Sequence, residues 1–152
     1  LSLGVSDGWF ADNYTSQCVQ SRPPQTGQYA DPSTHYCVDT CPSNPDYYGQ
    51  DLNDGNLTCV PACIISGFFA DPLTRTCLYN CNQTAGYFGE PSDGRCYSRC
   101  PSGYGNPLNS QCVSKCPRVP KFFYGDNLTG LCVLSCPSET YGDPTNNLCV
   151  EA

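Results

Sequence analysis

The chain repeats one short phrase eight times. Each copy has an aromatic residue, then Ala or Gly, and in most copies an acidic residue after that. In seven copies a cysteine follows eight residues after the aromatic, and the copy at Tyr48 carries three extra residues before Cys59. The eight aromatic residues are Phe10, Tyr29, Tyr48, Phe69, Phe88, Tyr104, Tyr124 and Tyr141. A unit repeated at such a short period predicts a stack in which each unit contacts mainly its neighbours.

The copies divide almost the whole chain. Residues 1–7 precede the first copy and predict an N-terminal strand or arm, and residues 8–152 predict a continuous array of cysteine-rich repeats. The predicted units lie near residues 8–22, 23–41, 42–63, 64–81, 82–100, 101–116, 117–136 and 137–152. Burial alone cannot stabilise units of about nineteen residues, so covalent links must help to hold them.

The cysteine content indicates what those links are. The 152 residues include 14 Cys, 14 Gly, 14 Pro and no Met, a composition typical of a disulfide scaffold. The even number of cysteines indicates an oxidising compartment, so we expect an extracellular or cell-surface protein. The predicted fold class is small and disulfide-rich: an elongated tandem stack of about eight short β-hairpin or loop units, with almost no helix.

The acidic residue of each copy predicts a turn. Asp followed by Pro, as at Asp71 and Asp143, favours a turn because the Asp side chain caps the backbone and the Pro fixes φ. Short apolar segments around the cysteines, such as residues 111–113, predict brief strands. The acidic position holds Asp12, Asp31, Asp71, Glu90, Asp126 and Asp143, with Asn106 once and Asp51 displaced by one residue.

The aromatic residues allow two interpretations. One ring per unit, at a constant distance from the cysteine, favours a structural role in which each ring stacks on its neighbour and supplies a small core. The alternative is a stripe of exposed rings that binds sugars or peptides.

A defect in the repeat guides the disulfide pairing. Complete units have two cysteines four positions apart, but the first unit has Arg22 where its second cysteine would stand. If the second cysteine of each unit joins the first of the next, six local bridges form and Cys18 and Cys37 remain to pair with each other. The predicted pairs are Cys18–Cys37, Cys41–Cys59, Cys63–Cys77, Cys81–Cys96, Cys100–Cys112, Cys116–Cys132 and Cys136–Cys149. Each loop should contribute about 3 kcal/mol by chain entropy.

Rival uses of the cysteines stay open at this point. Interlocked pairing between units, or pairing inside each C-x3-C, would leave Cys18 and Cys149 free. A metal–thiolate protein is disfavoured because zinc sites usually use C-x2-C pairs with histidine, and His35 is the only histidine of the chain.

Four N-x-S/T sequons are candidate N-glycosylation sites on exposed turns. Two of them replace the Pro of the Asp-Pro turn, one lies on the inserted loop of the third unit, and one follows a cysteine in a link between units. The acceptors are Asn13, Asn127, Asn56 and Asn82, respectively. By composition alone, the link from Ser21 to Thr34 is also a candidate for O-linked sugar.

Neither a catalytic site nor a metal or cofactor site is predicted, because no activated nucleophile, phosphate loop or zinc motif occurs. The acidic cluster of Asp51, Asn53 and Asp54 favours a solvated turn over a Ca²⁺ site. The net charge of −7 argues against nucleic-acid binding, and no apolar run is long enough to span a bilayer.

The phrase C-V-S-K-C-P at residues 112–117, with Y-G-D-P at 141–144 and C-V at 149–150, resembles the furin-like, growth-factor-receptor-type cysteine-rich repeats of protist surface proteins, especially those of ciliates. The likeness extends over nearly the whole chain from Gly8. It implies a rod of stacked disulfide modules on a cell surface or in an extracellular coat. The regular single unit and Arg22 depart from the receptor versions.

From these observations we expect an extracellular structural glycoprotein, a repeat rod that forms or decorates a filament, coat or stalk. Its expected partners are covalent glycans and further copies of itself, joined head to tail. The alternating residues Leu1 to Val5 could add as a strand to the open edge of a neighbour. The alternative is a receptor or adhesin ectodomain that binds a protein or glycan, with the inserted loop from Gln50 to Thr58 as its contact. A secreted protease inhibitor is a third interpretation.

Overall fold

The computed structural model describes residues 28–51 and 57–151 in full, and residues 10–12 and 17–19 as backbone. The chain divides into two compact units, Leu1–Cys77 and Leu78–Ala152, with the boundary inside the predicted repeat 64–81. The predicted arm, the acceptors Asn13 and Asn56, and residues 53 and 54 of the acidic cluster lie outside the described residues.

Both units consist of very short strands. The strands of the first unit are β1 (Phe10–Asp12), β2 (Gln17–Val19), β3 (Tyr29–Asp31), β4 (Tyr36–Val38), β5 (Tyr48–Asp51), β6 (Leu57–Val60), β7 (Phe69–Asp71) and β8 (Thr76–Leu78), the last of which crosses the boundary. Those of the second unit are β9 (Phe88–Glu90), β10 (Arg95–Tyr97), β11 (Tyr104–Asn106), β12 (Gln111–Val113), β13 (Tyr124–Asp126), β14 (Leu131–Val133), β15 (Thr140–Asp143) and β16 (Leu148–Glu151). Each predicted repeat holds two consecutive strands.

Consecutive strands form antiparallel hairpins, and the hairpins are joined in parallel. In β3 and β4 the small residue Ala30 lies opposite Cys37, and the same register recurs along the chain. The first strand of a hairpin also pairs in parallel with the second strand of the next hairpin, as β3 does with β6. The strand order is β7-β8-β5-β6-β3-β4-β1-β2 in the first unit and β15-β16-β13-β14-β11-β12-β9-β10 in the second.

In the turns that the structure describes, the predicted residue closes the hairpin: it is acidic at Asp31, Asp71, Glu90, Asp126 and Asp143, and it is Asn106 in one case. At Asp126 the backbone carbonyl accepts a hydrogen bond from Gly130 N–H four residues on, at 2.8 Å. One carboxylate oxygen accepts from Leu128 N–H, and the other accepts from the hydroxyl of Thr129 at 2.6 Å. The fifth turn residue has positive φ, which Gly130 adopts without strain at 72° and which His35 adopts at 59°.

The aromatic rings pack against the backbone of the next hairpin. A Cβ placed at Gly105 would lie 2.7 Å from the ring of Phe88, so the absence of a side chain is what admits the ring. The ring–glycine pairs of this kind are Tyr29–Gly49, Phe88–Gly105, Tyr104–Gly125 and Tyr124–Gly142. Where the small residue is Ala70, it is buried in one cluster with Tyr48. The rings thus supply the small core, with a small residue as the surface that each ring covers.

Among the described residues, six disulfides link successive hairpins. They join the second cysteine of one repeat to the first cysteine of the next, with Cα–Cα distances of 5.5 to 5.7 Å and sequence separations of 12 to 18 residues. These are the six consecutive pairs of the local scheme, from Cys41–Cys59 to Cys136–Cys149. Neither the interlocked scheme nor pairing inside C-x3-C agrees with them.

The seventh predicted pair, Cys18–Cys37, is wrong. Cys37 is a free, buried thiol. Cys18 lies in β2 and Cys37 in β4, and β1 pairs with both of these strands. Two strand spacings separate the backbones by roughly 9–10 Å, whereas a disulfide requires Cα atoms within about 7 Å. The side chain of Cys18 lies outside the described residues.

The predicted fold class is confirmed as small, disulfide-rich and built from stacked short hairpins. Helical structure in the described residues amounts to the 3₁₀ turn Gln83–Ala85. It begins after Asn82, whose side chain accepts a hydrogen bond from Ala85 N–H, and it ends at Gly86 with φ 77°. Strands of three or four residues with short links between them leave no segment of the described residues long enough for a stable α-helix.

Candidate functional site

Each hairpin inside the second unit contacts the next one through a recurring set of interactions that we call the joint. The amide N–H of the central glycine of one hairpin donates to the carbonyl of the last turn residue of the next, as Gly125 does to Asn147 at 2.7 Å. The aromatic ring covers the next small residue, and a disulfide closes the contact, as Cys116–Cys132 does. Backbone, apolar and covalent links therefore coincide at one place.

Strand β15 presents the first half of a joint without the second half. It is the edge strand of its sheet and pairs with β16 alone. Gly142 occupies the position from which Gly125 donates, and among the described residues its N–H makes no bond to another hairpin of the kind that Gly125 makes. The ring of Tyr141 is 63% exposed, whereas that of Phe88 is 6% exposed. Val150, which lies opposite Tyr141 in the hairpin, is also exposed. This open edge has the shape and hydrogen-bonding capacity to bind a further hairpin.

The turn carboxylates are buried, and the role of their charges is to stabilise the turns. Asp31 and Asp126 are 1% and 3% exposed. Burial raises the pKa of Asp31, but the hydrogen bonds from Ser33 and Thr34 outweigh it and hold the pKa below its ordinary value. Burial also raises the pKa of Asp126, but hydrogen bonds from Thr129 and Leu128 and the charge of Arg99 outweigh it and hold the pKa below its ordinary value. Charged hydrogen-bonded carboxylates of this kind stabilise the turns.

Two of the four predicted glycan acceptors lie in the described residues, and both are exposed. Asn82 caps the 3₁₀ turn through its Oδ1. Asn127 follows Asp126 at the tip of a turn, and its Oδ1 accepts a hydrogen bond from Tyr104 Oη at 2.5 Å. In both residues the amide nitrogen, to which a glycan would be attached, makes no hydrogen bond to the described residues.

Other predicted features give no site. Asp51 ends β5 and is exposed, and no group of three or more metal-ligating side chains occurs in the described residues. His35 holds the left-handed position of a turn. No helix of the described ranges has the length and apolar character that a membrane crossing requires.

Sequence reasoning missed three features of the site. The free thiol of Cys37 depends on the parallel register of β1 and β4, which no local pattern reveals. The hydrogen bond from Tyr104 to Asn127 joins residues 23 positions apart. The exposure of Tyr141 has no signal in its own repeat, because that repeat has the same pattern as the others.

Comparisons with family models, curated proteins and solved structures found no match to this chain. The functional interpretation therefore depends on its own residues and geometry.

Proposed function

We propose that the protein is an extracellular structural glycoprotein whose hairpin stacks build a filament, coat or stalk by self-association. The observation that carries this proposal is the joint, which recurs between the hairpins of the second unit and joins one hairpin to the next in the same way each time. We propose that the exposed edge of β15 binds a further hairpin through the same contacts. Six disulfides in the described residues support an oxidising, extracellular setting.

A complete joint needs two things from the incoming chain. A strand must accept the N–H of Gly142, and a small residue must lie beneath the ring of Tyr141. The first hairpin of another copy offers both, because β2 is the edge strand of the first unit's sheet and Ala11 occupies the small position of β1. The segment from Leu1 to Val5 could supply only a strand, so we propose that the first hairpin of another copy binds the open edge.

Electron microscopy of the purified, glycosylated protein tests this function, with ordered fibres as the expected result. Two variants identify the contact. Tyr141→Ala should abolish the fibres and leave the six disulfides intact, because this ring is exposed in the single chain. Tyr79→Ala, at a residue that is 66% exposed and lies in neither β15 nor the first hairpin, is the matched control and should assemble normally.

Two further changes identify which segment of the other copy binds the edge. Ala11→Leu should block assembly because a larger side chain cannot lie beneath the ring, while deletion of residues 1–6 should not. The opposite pair of results would show that the N-terminal arm, and not the first hairpin, binds the edge. Monodisperse single particles at every concentration would reject self-association and favour a receptor or adhesin ectodomain.

A further inference from the structure

We propose that an N-linked glycan on Asn127 folds back over the last hairpin and that its first, neutral sugar residues occupy the groove between the turn at 126–128 and strand β16. The inference rests on the glycoprotein part of the proposed function. It adds a defined contact surface for one glycan, so this sugar becomes part of the folded structure.

Asn127 is held in one orientation. Its Oδ1 accepts from Tyr104 Oη, and the Tyr104 ring is itself fixed over Gly125. The backbone is held as well, because Arg99 donates to the carbonyl of Asn127 at 3.1 Å and to that of Leu128 at 3.3 Å. A glycosylated amide keeps its oxygen free to accept this hydrogen bond, so attachment at Nδ2 leaves the contact with Tyr104 intact.

The same hydrogen bond fixes the direction of the amide nitrogen of Asn127. Asn127 lines two cavities: a smaller one of about 270 Å³ that Tyr104 and Arg99 also line, and a larger groove of about 610 Å³ that neither of them lines. Oδ1 is directed to Tyr104, and in a planar amide Nδ2 is directed away from the partner of Oδ1. The larger groove is the second cavity that Asn127 lines, so the proposal places the attachment atom at the mouth of a groove of ligand size.

The groove has both apolar and polar surface. Leu128 and Val150 are 78% and 36% exposed and form apolar surface, while Thr140 and Glu151 supply a hydroxyl and a carboxylate. A pyranose ring has an apolar C–H face and a rim of hydroxyl donors, so this mixture suits a neutral sugar. The carboxylates of Asp126 and Glu151 would repel an acidic sugar.

Covalent attachment makes weak contacts sufficient. A short tether gives the sugar an effective concentration of roughly millimolar, so even a millimolar affinity gives substantial occupancy. Tyr141 does not line this groove, so the glycan would leave the proposed assembly edge uncovered.

The test compares hydrogen exchange at the amides of β16 in the glycosylated protein and in Asn127→Asp, which keeps an oxygen acceptor for Tyr104. Loss of the glycan should accelerate exchange at residues 150 and 151 by about two- to tenfold, the protection expected from a tethered ligand near its dissociation constant. Asn82→Gln, which removes the other described acceptor, is the matched control and should leave these amides unchanged.

A second variant separates the contact from mere attachment. Tyr104→Phe keeps the ring over Gly125 and the sequon but removes the hydroxyl. It should therefore retain the glycan, measured by mass spectrometry, and lose most of the protection of β16. An unoccupied Asn127 in a host that glycosylates Asn82, or equal exchange with and without the glycan, would overturn the inference. Fibres seen together with either result would reject the glycan contact and leave the structural function standing. A protected β16 without fibres would support the glycan contact and reject self-association.

Discussion

The free thiol of Cys37 allows the joint to be tested by completing it. Six repeats have a cysteine four positions after their first cysteine, and this cysteine pairs with the first cysteine of the next repeat. Position 22 is the corresponding place in the first repeat. We predict that Arg22→Cys forms a disulfide with Cys37. The sequence separation would be 37 − 22 = 15, the same as that of Cys81–Cys96.

The magnitude follows from the length of this loop. Closing a loop of about 15 residues removes roughly 3 kcal/mol of chain entropy from the opened state. Every 1.4 kcal/mol changes an equilibrium about tenfold, so local opening of the first two hairpins should become about a hundredfold rarer. The effect should stay local because each repeat contacts mainly its neighbours.

Hydrogen exchange resolves local opening and is the suitable assay. Amides of β3 and β4 should exchange about a hundredfold more slowly in Arg22→Cys, while those of β13 and β14 should not change. Arg22→Ser controls for the loss of the arginine, and the double variant Arg22→Cys with Cys37→Ala controls for the new thiol. A non-reduced peptide that links position 22 to Cys18, or unchanged exchange despite the bridge to Cys37, would refute the reasoning.

Three further outcomes follow from the described contacts. Gly105→Ala should lower the free energy of unfolding by about 1–3 kcal/mol in urea titrations, because its Cβ would meet the buried ring of Phe88; an unchanged midpoint would contradict the ring–glycine packing. The pKa values of Asp31 and Asp126 lie below their ordinary values, so the stability they contribute is complete above about pH 4 and is lost as the pH falls through their folded pKa values. The difference in unfolding free energy between wild type and the Asp31→Asn, Asp126→Asn variant should therefore shrink below about pH 4, and a constant difference would be inconsistent with charged turn carboxylates. Cys37 is 3% exposed, so iodoacetamide should label it, by mass spectrometry, only at the rate of local opening; immediate labelling would show that the thiol is accessible.

Those parts of the fold that depend on neighbouring residues could be predicted from the sequence. The turn at Asp126 is closed by residues two, three and four positions ahead, and each disulfide spans fewer than twenty residues, so a repeated phrase is enough to place both. The Cys18–Cys37 pair failed because counting unpaired cysteines takes no account of the strand between them. Similarly, the orientation of Asn127 depends on Tyr104 in the preceding hairpin, and no spacing rule encodes that contact.

The direction of the repeat has a consequence for how copies can associate. At each joint the ring and the N–H donor belong to the earlier hairpin, and the small residue and the acceptor belong to the later one, as for Tyr104 and Gly125. The open edge of β15 therefore carries a ring and a donor, whereas the first hairpin carries Ala11. Two identical surfaces cannot satisfy such a joint, so an isologous two-fold dimer is excluded for this contact. Association through this contact is heterologous, so it gives open chains that grow with concentration or rings that close at a fixed size. Sedimentation velocity over a concentration series distinguishes these products, and oligomers that persist in both Tyr141→Ala and Ala11→Leu would show that copies meet through another surface.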